Sequence, residues 1–457
     1  EPRTHNPLVA GSSPAGPTNI NHRGGSAVRI LVLSQHWFPE NGVAQRRWAW
    51  LSKVLIEAGH EIRVITPVPT GVLDASNLHQ GVAKPSEPAG VGADGGDVYV
   101  YRVPRMKPRR SITGRTFNQV FTAGGMVKRA LFTAEVKKWR PDVVVGTVPA
   151  LPVAVSSALV ARGLGTPLVI DLRDAWPQLL DSIADWNRAV GEKSIREKVI
   201  LSVAERLVRL TANSILERAL ATASGVIVTS DRLRRELQSN LNRPKQQCLA
   251  VVRNVFPVQS SKYQTTNVDL RNENKLRVLY AGTIGRAQNL ANAVEAVSIA
   301  RKKGLDLELR VVGAGAASAA LRSMVRDKNL PIVFESKRPA NDLADLYGWA
   351  DTALVHLTDW PALEMAVPSK LYELLELRVH ITGVVAGESA EIIRSLRAGH
   401  VVAPEDPAQL AQCWATLAKN RELLKIPVDG SKWVEQVRNE SAPNNLLRLL
   451  DDVLNNG

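Results

Sequence analysis

Two charged residues three positions apart, Lys370 and Glu373, stand in the stretch AVPSKLYELLEL. Pro368 and Ser369 predict the start of a helix here, so the two side chains share one face of its first turns. The N-terminus of a helix holds anions, because its unpaired N–H groups point outward. A cation for phosphate and a carboxylate for hydroxyl groups would suit a ligand that carries both phosphate and sugar. An ordinary surface ion pair is the alternative interpretation.

Glycines follow two predicted strands in the same half of the chain. The first loop, YAGTIGRAQNL, contains Gly282, Gly285 and Arg286, and the second, VVGAGAASAAL, contains Gly313 and Gly315. Glycine at a strand end lets a flat or phosphorylated ligand approach the backbone closely. The planar guanidinium of Arg286 suits a diphosphate, which it can bind through two parallel hydrogen bonds. With Lys370 and Glu373, these loops predict nucleotide binding in the C-terminal half.

Two further candidates follow strands in the N-terminal half. In SQHWFPENGVAQRR, Gly42 lies in a loop before a predicted helix. PLVIDL, which contains Asp171, runs into RDAWP, which carries Arg173 and Asp174, so the three charged residues cluster at the carboxyl end of this strand. In open α/β sheets, ligands bind beyond the carboxyl ends of strands. A structural Arg–Asp pair is the alternative for the second group. The loop at Gly42 lacks the GxGxxG pattern, so a dinucleotide fingerprint is absent.

The elements that must position these residues alternate between short β-branched strands and longer helical stretches. The strand predictions are 28–34, 61–67, 142–147, 167–172 and 225–230, then 276–282, 307–313, 331–336, 351–357, 380–385 and 400–404. This βαβ alternation is typical of parallel sheets covered by helices. We therefore predict an α/β protein with two Rossmann-like doubly wound domains that face a cleft.

Composition divides the chain into five segments. Residues 1–27 are rich in Pro, Gly, Ser and Asn, and we expect them to be disordered and foreign to the native protein. The first domain is predicted at 28–257, a polar linker at 258–275 and the second domain at 276–430. We expect the helices at 431–457 to pack back toward the first domain.

The formal net charge of +14 comes largely from residues 101–140, where eleven Lys and Arg residues face one acidic residue. Such a region suits an anionic membrane or a phosphorylated partner, or serves solubility alone. No nucleic-acid-binding signature accompanies it, so nucleic acid is not an expected partner. Cys248 and Cys413 form neither a disulfide framework nor a metal-ligand spacing, and we expect no metal and no cofactor. The uncharged run 143–161 contains two prolines, and we interpret it as strand, loop and buried helix.

Seven phrases in chain order over about 28–420 resemble the GT-B-fold glycosyltransferases of family 4, above all the bacterial surface-polysaccharide branch of fucosamine- and colanic-acid-type transferases. They are ILVLSQHWFPENGVAQRRWAWLSKVLIEAGHEIRVIT, DLRDAWP, RNVFPV, LYAGTIGRAQNL, RVVGAG, PSKLYELLEL and AGESAEIIRSLRAGHVVAPEDPAQL. The resemblance implies that the second domain binds a nucleotide-sugar donor and that the first holds the acceptor. It also implies a retaining, metal-independent transfer of a hexosyl or N-acetylhexosaminyl group.

The resemblance also assigns roles by position. Arg286 would meet the donor diphosphate, Glu373 the ribose, and Gly42 the donor phosphate, while Asp174 with Arg173 would lie near the transferring sugar. Two positions depart from the family pattern. Gln288 stands where the family usually carries a lysine, and we expect Lys370 to supply that charge. Met365 stands eight residues before Glu373, where the family has a glutamate, and Glu364 is one position further away.

The acceptor in this branch is often a polyprenyl-diphosphate-linked sugar, and the basic region 101–140 would dock it at a membrane. The segment 195–210 could also lie on a membrane or pack as a core helix. We therefore expect a cytoplasmic enzyme of surface-polysaccharide synthesis, peripheral on the inner face of the cell membrane. A nucleotide-sugar epimerase of the same fold and a non-catalytic nucleotide-sugar-binding or scaffold protein stay open as alternatives.

Overall fold

The computed structural model describes residues 27–40, 42–69, 98–106, 112–148, 151–176, 178–181, 213–239, 247–258, 275–338 and 340–456. Four sequence-based predictions lie wholly or partly outside these residues: the segment up to residue 26, part of the basic region at 107–111, most of the linker at 259–274 and the amphipathic segment 195–210.

The first sheet consists of seven parallel strands in the order β3–β2–β1–β4–β5–β6–β7. Their bounds are Arg29–Leu33, Glu61–Pro67, Tyr99–Val103, Val143–Val148, Leu168–Leu172, Gly225–Val228 and Cys248–Val251 for β1 to β7. The chain runs outward from β1 through β2 to β3 and then returns to β4 on the other side of β1. The strand order therefore reverses between β1 and β4, where loops leave a crevice at the carboxyl edge.

The second sheet repeats this plan with six parallel strands in the order β10–β9–β8–β11–β12–β13. Their bounds are Leu276–Ala281, Leu307–Val312, Ile332–Glu335, Thr352–His356, Ile381–Val384 and Gly399–Val402 for β8 to β13. Here the order reverses between β8 and β11. The prediction of an α/β architecture with two doubly wound sheets is confirmed.

Helices connect the strands. The α-helices with both ends defined are Val43–Glu57, Ile112–Phe132, Ala134–Trp139, Leu151–Leu164, Gln178–Asp181, Asp231–Ser239, Ala291–Lys302, Ser318–Asp327, Ala344–Trp349, Ser369–Glu376, Gly387–Ser395, Pro407–Lys419, Asp429–Gln436 and Ala442–Asn455. Residues 213–222 are also helical. Short 3₁₀ turns lie at Ala340–Leu343, Pro361–Met365 and Arg421–Leu424, and a π-turn at Val437–Ser441 joins the last two helices. Within the described ranges, no helix combines the length and apolarity needed to cross a membrane.

Strands β3 and β7 have no counterpart among the sequence predictions. Both are edge strands of the first sheet. An edge strand packs against one neighbour only, so its sequence need not be a continuous apolar run. YVYRV in β3 keeps Tyr99 exposed, and CLAV in β7 is mostly half-buried.

The last helix closes the first sheet. Leu449 and Val453 of helix Ala442–Asn455 belong to the same apolar cluster as Val169 in β5 and Ile227 in β6. A Cβ atom on Gly225 would come within 2.7 Å of the Val453 side chain, so glycine is required for this close packing. The chain thus returns from the second sheet to bury the strands of the first.

A second link between the domains is electrostatic. Arg253, just after β7, forms ion pairs with Asp231 at 2.6 Å and with Glu388 of the second domain at 2.5 Å. The Glu388 carboxylate also accepts hydrogen bonds from the backbone N–H groups of Asp231 and Arg232, at 3.1 and 2.7 Å. Helix Asp231–Ser239 in the first domain therefore begins at a carboxylate that the second domain supplies.

Candidate functional site

The loops after β8 and β11 meet where the second sheet reverses its strand order. The backbone N–H of Thr358, just after β11, donates to the Ala287 carbonyl in the loop after β8. His356 at the end of β11 lies 3.0 Å from the amide of Asn292, between Nε2 and Nδ2. These contacts bring the predicted phosphate-binding loop beside the segment that leads to helix Ser369–Glu376. The crevice expected of a doubly wound sheet lies here.

The glycines of the two loops make room for each other. A Cβ on Gly313, whose φ is +158°, would come within 1.9 Å of the Gly282 carbonyl oxygen. A Cβ on Gly315 would come within 2.1 Å of the Ile284 carbonyl oxygen. The backbone N–H of Ile284 donates to the Ala314 carbonyl oxygen at 3.0 Å, and this hydrogen bond joins the two loops. Gly313 and Gly315 thus hold the second loop against the first.

Arg286 extends from this stacked pair of loops. It is exposed, and its side chain makes no hydrogen bond or ion pair with other residues that the structure describes. Gln288 folds back over Gly285, where a Cβ atom would approach its Oε1 to 2.7 Å. The loop therefore offers a guanidinium that is available to a ligand at the edge of the crevice.

Lys370 and Glu373 form a buried cluster with Tyr347. The Lys370 ammonium donates to Glu373 at 2.9 Å and to the Tyr347 hydroxyl at 2.8 Å. The Tyr347 hydroxyl in turn donates to the other Glu373 oxygen at 2.6 Å. Burial lowers the pKa of Lys370, and the Glu373 carboxylate offsets part of that fall. The two residues do form the i,i+3 ion pair that their spacing allows, but Glu373 is only 7% exposed, so the pair is not a surface feature.

The N-terminus of helix Ser369–Glu376 adds positive potential to this cluster. Pro368 precedes the helix, no side chain caps it, and no acidic residue lies in its first turn. Ser369, the first helical residue, is half-buried. The open N–H groups at this end and the Lys370 ammonium together favour an anion.

The first domain contributes Arg46 to the same region. Its guanidinium lies 4.7 Å from the ring centre of Phe256. Burial lowers the pKa of Arg46, and the negative charge of Glu373 in the other domain offsets part of that effect. Arg46 therefore lies across the cleft from Glu373 and Tyr347.

Asp171, at the end of β5, is part of a structural pair. It is fully buried, and Arg47 Nη2 lies 2.8 Å from its Oδ1. The indole N–H of Trp48 donates to the other oxygen at 3.0 Å. Asp171 therefore belongs to a structural Arg–Asp pair, which was the alternative interpretation of the sequence. Its partner is Arg47 from helix Val43–Glu57.

Arg173 and Asp174 lie one step further along and remain half-buried. Burial raises the pKa of the Asp174 carboxyl, and the positive charge of Arg173 only partly opposes this. Burial also lowers the pKa of Arg173, whose Nε atom is buried without a hydrogen-bond partner among the described atoms. A carboxyl with a raised pKa beside an under-used guanidinium is typical of a site for a polar ligand.

Gly42 stands directly before helix Val43–Glu57 in extended conformation, with φ −138° and ψ 178°. Any residue can adopt this backbone, so its glycine is explained by space: a Cβ would meet Gln45 Oε1 at 2.7 Å. No side chain caps the helix, and its first turn holds no acidic residue. Its N-terminus, like that of helix Ser369–Glu376, is open to an anion.

Glu364 lies in the contact between the domains. Its carboxylate is 2.9 Å from Arg232 Nη1, and the backbone of the same residue packs against Gly387. Among the described residues, no three His, Cys, Asp or Glu side chains gather in a way that could hold a metal ion.

Sequence reasoning missed three residues of this region: Arg46, Arg47 and Tyr347. Arg46 and Arg47 belong to the phrase VAQRRWAW, where two adjacent arginines directly precede an apolar stretch, and this was a usable signal. Tyr347 carried none, because it precedes Glu373 by 26 positions and only the fold brings them together.

Comparisons with known proteins identify what the two halves of the chain are similar to. The family described as glycosyl transferase 4-like domain matches residues 42–254, and the family described as glycosyl transferases group 1 matches residues 275–420. The chain is 24% identical over 362 residues to a protein of Escherichia coli (strain K12) named as a colanic acid biosynthesis glycosyl transferase, WcaI. That alignment covers 76% of this chain and 81% of the other.

Solved structures show the same fold. Sucrose-phosphate synthase from Thermosynechococcus elongatus matches with a TM-score of 0.65 and 16% identity, over 94% of this chain and 100% of that one. HepE from Anabaena, solved in complex with UDP-glucose, matches with a TM-score of 0.58 and 13% identity, over 94% of this chain and 98% of that one.

Proposed function

The chain belongs to the GT-B glycosyltransferases of family 4, and from this premise we propose that it transfers a hexosyl or N-acetylhexosaminyl group from a nucleotide-diphosphate sugar to an acceptor in surface-polysaccharide synthesis. The acceptor is a glycan or a polyprenyl-diphosphate-linked sugar. The relative named for colanic acid biosynthesis supports the pathway, and the structural neighbour with bound UDP-glucose supports the donor class.

One observation carries the donor assignment. The cluster of Lys370, Glu373 and Tyr347 lies beside an uncapped helix N-terminus, at a sheet edge where Arg286 has no partner among the described side chains. In the proposal, Glu373 accepts hydrogen bonds from the ribose hydroxyls. Arg286 and Lys370 face the diphosphate, and Gly42 brings the first domain's helix N-terminus toward it.

The chemistry follows from these charges. When the bond to the sugar breaks, negative charge builds on the diphosphate leaving group, and preorganised cations there lower the barrier. Arg286, Lys370 and the helix N-terminus supply that stabilisation. In a front-side retaining mechanism, no carboxylate nucleophile is needed, unlike in retaining glycosidases. Asp174 and Arg173 then position the acceptor hydroxyl and the transferring sugar, and closure of the cleft excludes water.

The test is a set of two variants assayed with a panel of UDP-, GDP-, ADP- and dTDP-sugars. The donor that raises the melting temperature of the wild type is used for turnover, because binding to the native state alone stabilises it. Arg286→Ala should lower kcat about a hundredfold, the usual loss for one oxyanion-stabilising contact. Arg301→Ala, on the exposed end of helix Ala291–Lys302, removes the same charge elsewhere and should leave kcat unchanged.

The outcomes separate the alternatives. Wild-type turnover in Arg286→Ala would remove this residue from the site. An isomerised nucleotide sugar with no glycosylated acceptor would identify an epimerase. Donor binding without any turnover in the wild type would identify a binding or scaffold protein.

We also propose that the chain works on the inner face of the cell membrane, through the basic region 101–140. Within it, Lys128, Lys137, Lys138 and Arg140 are exposed. Cations at a protein surface are attracted to anionic lipids. The acceptor lipid would then reach the first domain without leaving the bilayer.

A further inference from the structure

Glu40, in the loop after β1, has no role in the mechanism above, and it is the centre of a polar group. Its Oε1 lies 3.3 Å from Arg105 Nη1, and its Oε2 lies 3.8 Å from His36 Nδ1. Gln45 Nε2 donates to the same Oε2 at 3.3 Å. The side chains of Glu40 and Arg105 are 23% and 15% exposed, so both are partly removed from solvent yet reachable.

Two more guanidinium groups lie close to Glu40 or His36. Arg102 lies in β3, the strand that Arg105 follows, and donates to the carbonyl oxygens of Phe38 and Pro67. Burial lowers the pKa of Arg102, and the charge of Glu40 offsets part of this. Arg173 lies on the other side, close enough to His36 for its charge to lower the pKa of that imidazole, which burial also lowers.

The backbone adds to this positive field. Helix Val43–Glu57 begins directly after Gly42 and carries neither a capping side chain nor an acidic residue in its first turn. Arg102, Arg105 and Arg173 therefore lie close to Glu40 or His36, near the start of this helix. Such an excess of donors over carboxylates is the arrangement that binds phosphate groups in proteins.

We propose that the Glu40 cluster, defined as His36, Glu40, Arg102, Arg105 and Arg173, binds the phosphate or diphosphate of the acceptor, and that Glu40 occupies the anion's place in the free protein. The inference rests on the proposed function, since it names the substrate group on the acceptor side of the same cleft. Glu40 acts as an internal competitor: the acceptor's anion displaces its carboxylate from Arg105. The cluster thereby selects phosphorylated acceptors over neutral glycans.

The proposal predicts opposite effects for two neighbouring substitutions. Glu40→Gln removes the competing charge, and pyrophosphate should bind about tenfold more tightly, as expected when one charge-assisted hydrogen bond no longer has to be broken. Arg105→Gln removes a donor, and pyrophosphate should bind about tenfold more weakly. A merely structural role of this ion pair predicts weaker binding, or none, for both.

The measurement is isothermal titration calorimetry of the full chain with inorganic pyrophosphate, geranyl diphosphate and UDP. All variants carry Arg286→Ala, which weakens binding of the probe at the donor site. Arg63→Gln is the matched control, because Arg63 pairs with Glu61 at the start of β2 and its loss should change none of the three affinities. Melting temperatures establish that each variant is folded.

Several results would overturn the inference. The first is an equal affinity for pyrophosphate in Glu40→Gln and its parent. The second is a change in affinity that Glu40→Gln causes for UDP alone, because the cluster would then bind the donor. Pyrophosphate binding does not depend on turnover, so it tests the cluster even if the chain proves not to transfer sugar. Conversely, if the chain transfers sugar but Glu40→Gln and Arg105→Gln leave the affinity for pyrophosphate unchanged, the role of the cluster is contradicted and the proposed function stands.

Discussion

At the scale of single residues, local spacing could be predicted and distant partners could not. The i,i+3 geometry of Lys370 and Glu373 follows from helix periodicity, and the structure shows that contact at 2.9 Å. The partner of Asp171 is Arg47, which lies 124 positions away, and nothing in RDAWP indicates it. A pairing between a helix and a strand that are distant in sequence is fixed by topology, which a local pattern does not contain.

This difference leads to a prediction for two aspartates three positions apart. Asp171→Ala leaves the fully buried Arg47 without its counter-charge, and removing one member of a buried pair costs about 3–5 kcal/mol in unfolding free energy. Asp174→Ala, at the half-buried neighbour, should cost far less stability and reduce turnover instead. Urea denaturation followed by circular dichroism measures the first effect, and the transfer assay measures the second. Equal stability losses in the two variants would contradict the distinction.

At the scale of elements, the interior strands and the edge strands β10 and β13 of the second sheet were predicted closely, while the edge strands β3 and β7 of the first sheet were missed. Interior strands are covered on both faces and read as apolar runs, whereas β3 and β7 do not. The glycine loops behave similarly. Their position was predicted, but not that Gly313 and Gly315 accommodate the neighbouring loop's backbone. Close backbone approach has many causes, and the sequence records only that glycine is present.

Helix Ile112–Phe132 carries a prediction at this scale. Phe117, Val120 and Phe121 are 62%, 54% and 45% exposed and share a helix face, next to the exposed lysines of the basic region. Apolar side chains flanked by cations bind anionic membrane surfaces. Replacing both phenylalanines by serine should reduce binding to vesicles containing phosphatidylglycerol by about tenfold or more, since each exposed ring inserts apolar area.

Vesicle co-sedimentation measures this binding, with Val333→Ser as control. Val333 is 42% exposed on β10 of the second domain, so its loss should have no effect. Binding should also fall in phosphatidylcholine vesicles and in high salt. Equal binding by the wild type and the serine variant would show that this helix does not face the membrane.

At the scale of the whole molecule, the two-sheet architecture was predictable because eleven of the thirteen strands in the described residues follow one alternation of strand and helix in the sequence. The packing of the last helix on β5 and β6, and the ion pairs around Arg253, form between segments far apart in sequence. They depend on how the two domains are placed. The net charge of the whole chain likewise does not predict the pKa of an individual buried group.

Stability should fall in mild acid. Burial lowers the pKa of His356 to about 4 and that of His380 to about 3, from 6.5 in the unfolded chain. The unfolded chain therefore binds protons first as the pH drops below 6.5. Stability is fully present above that value and is lost as the pH falls toward 4 and then 3, by about 1.4 kcal/mol per pH unit for each histidine.

The melting temperature measured between pH 7 and pH 5 tests this sign. The wild type should lose stability over that interval, and the double variant His356→Gln, His380→Gln should lose less. Carboxylates titrate mainly below this window and affect both proteins alike. A parallel decline in the two proteins would place the acid sensitivity elsewhere.

The position of Glu388 bears on how such a chain can evolve. Since this side chain completes a helix that belongs to the other half, each half depends on the other for this contact. A recombination event that exchanged one half for that of a distant relative would have to bring a matching carboxylate or lose these hydrogen bonds. Gene shuffling within this lineage is thus constrained by a contact between the two domains.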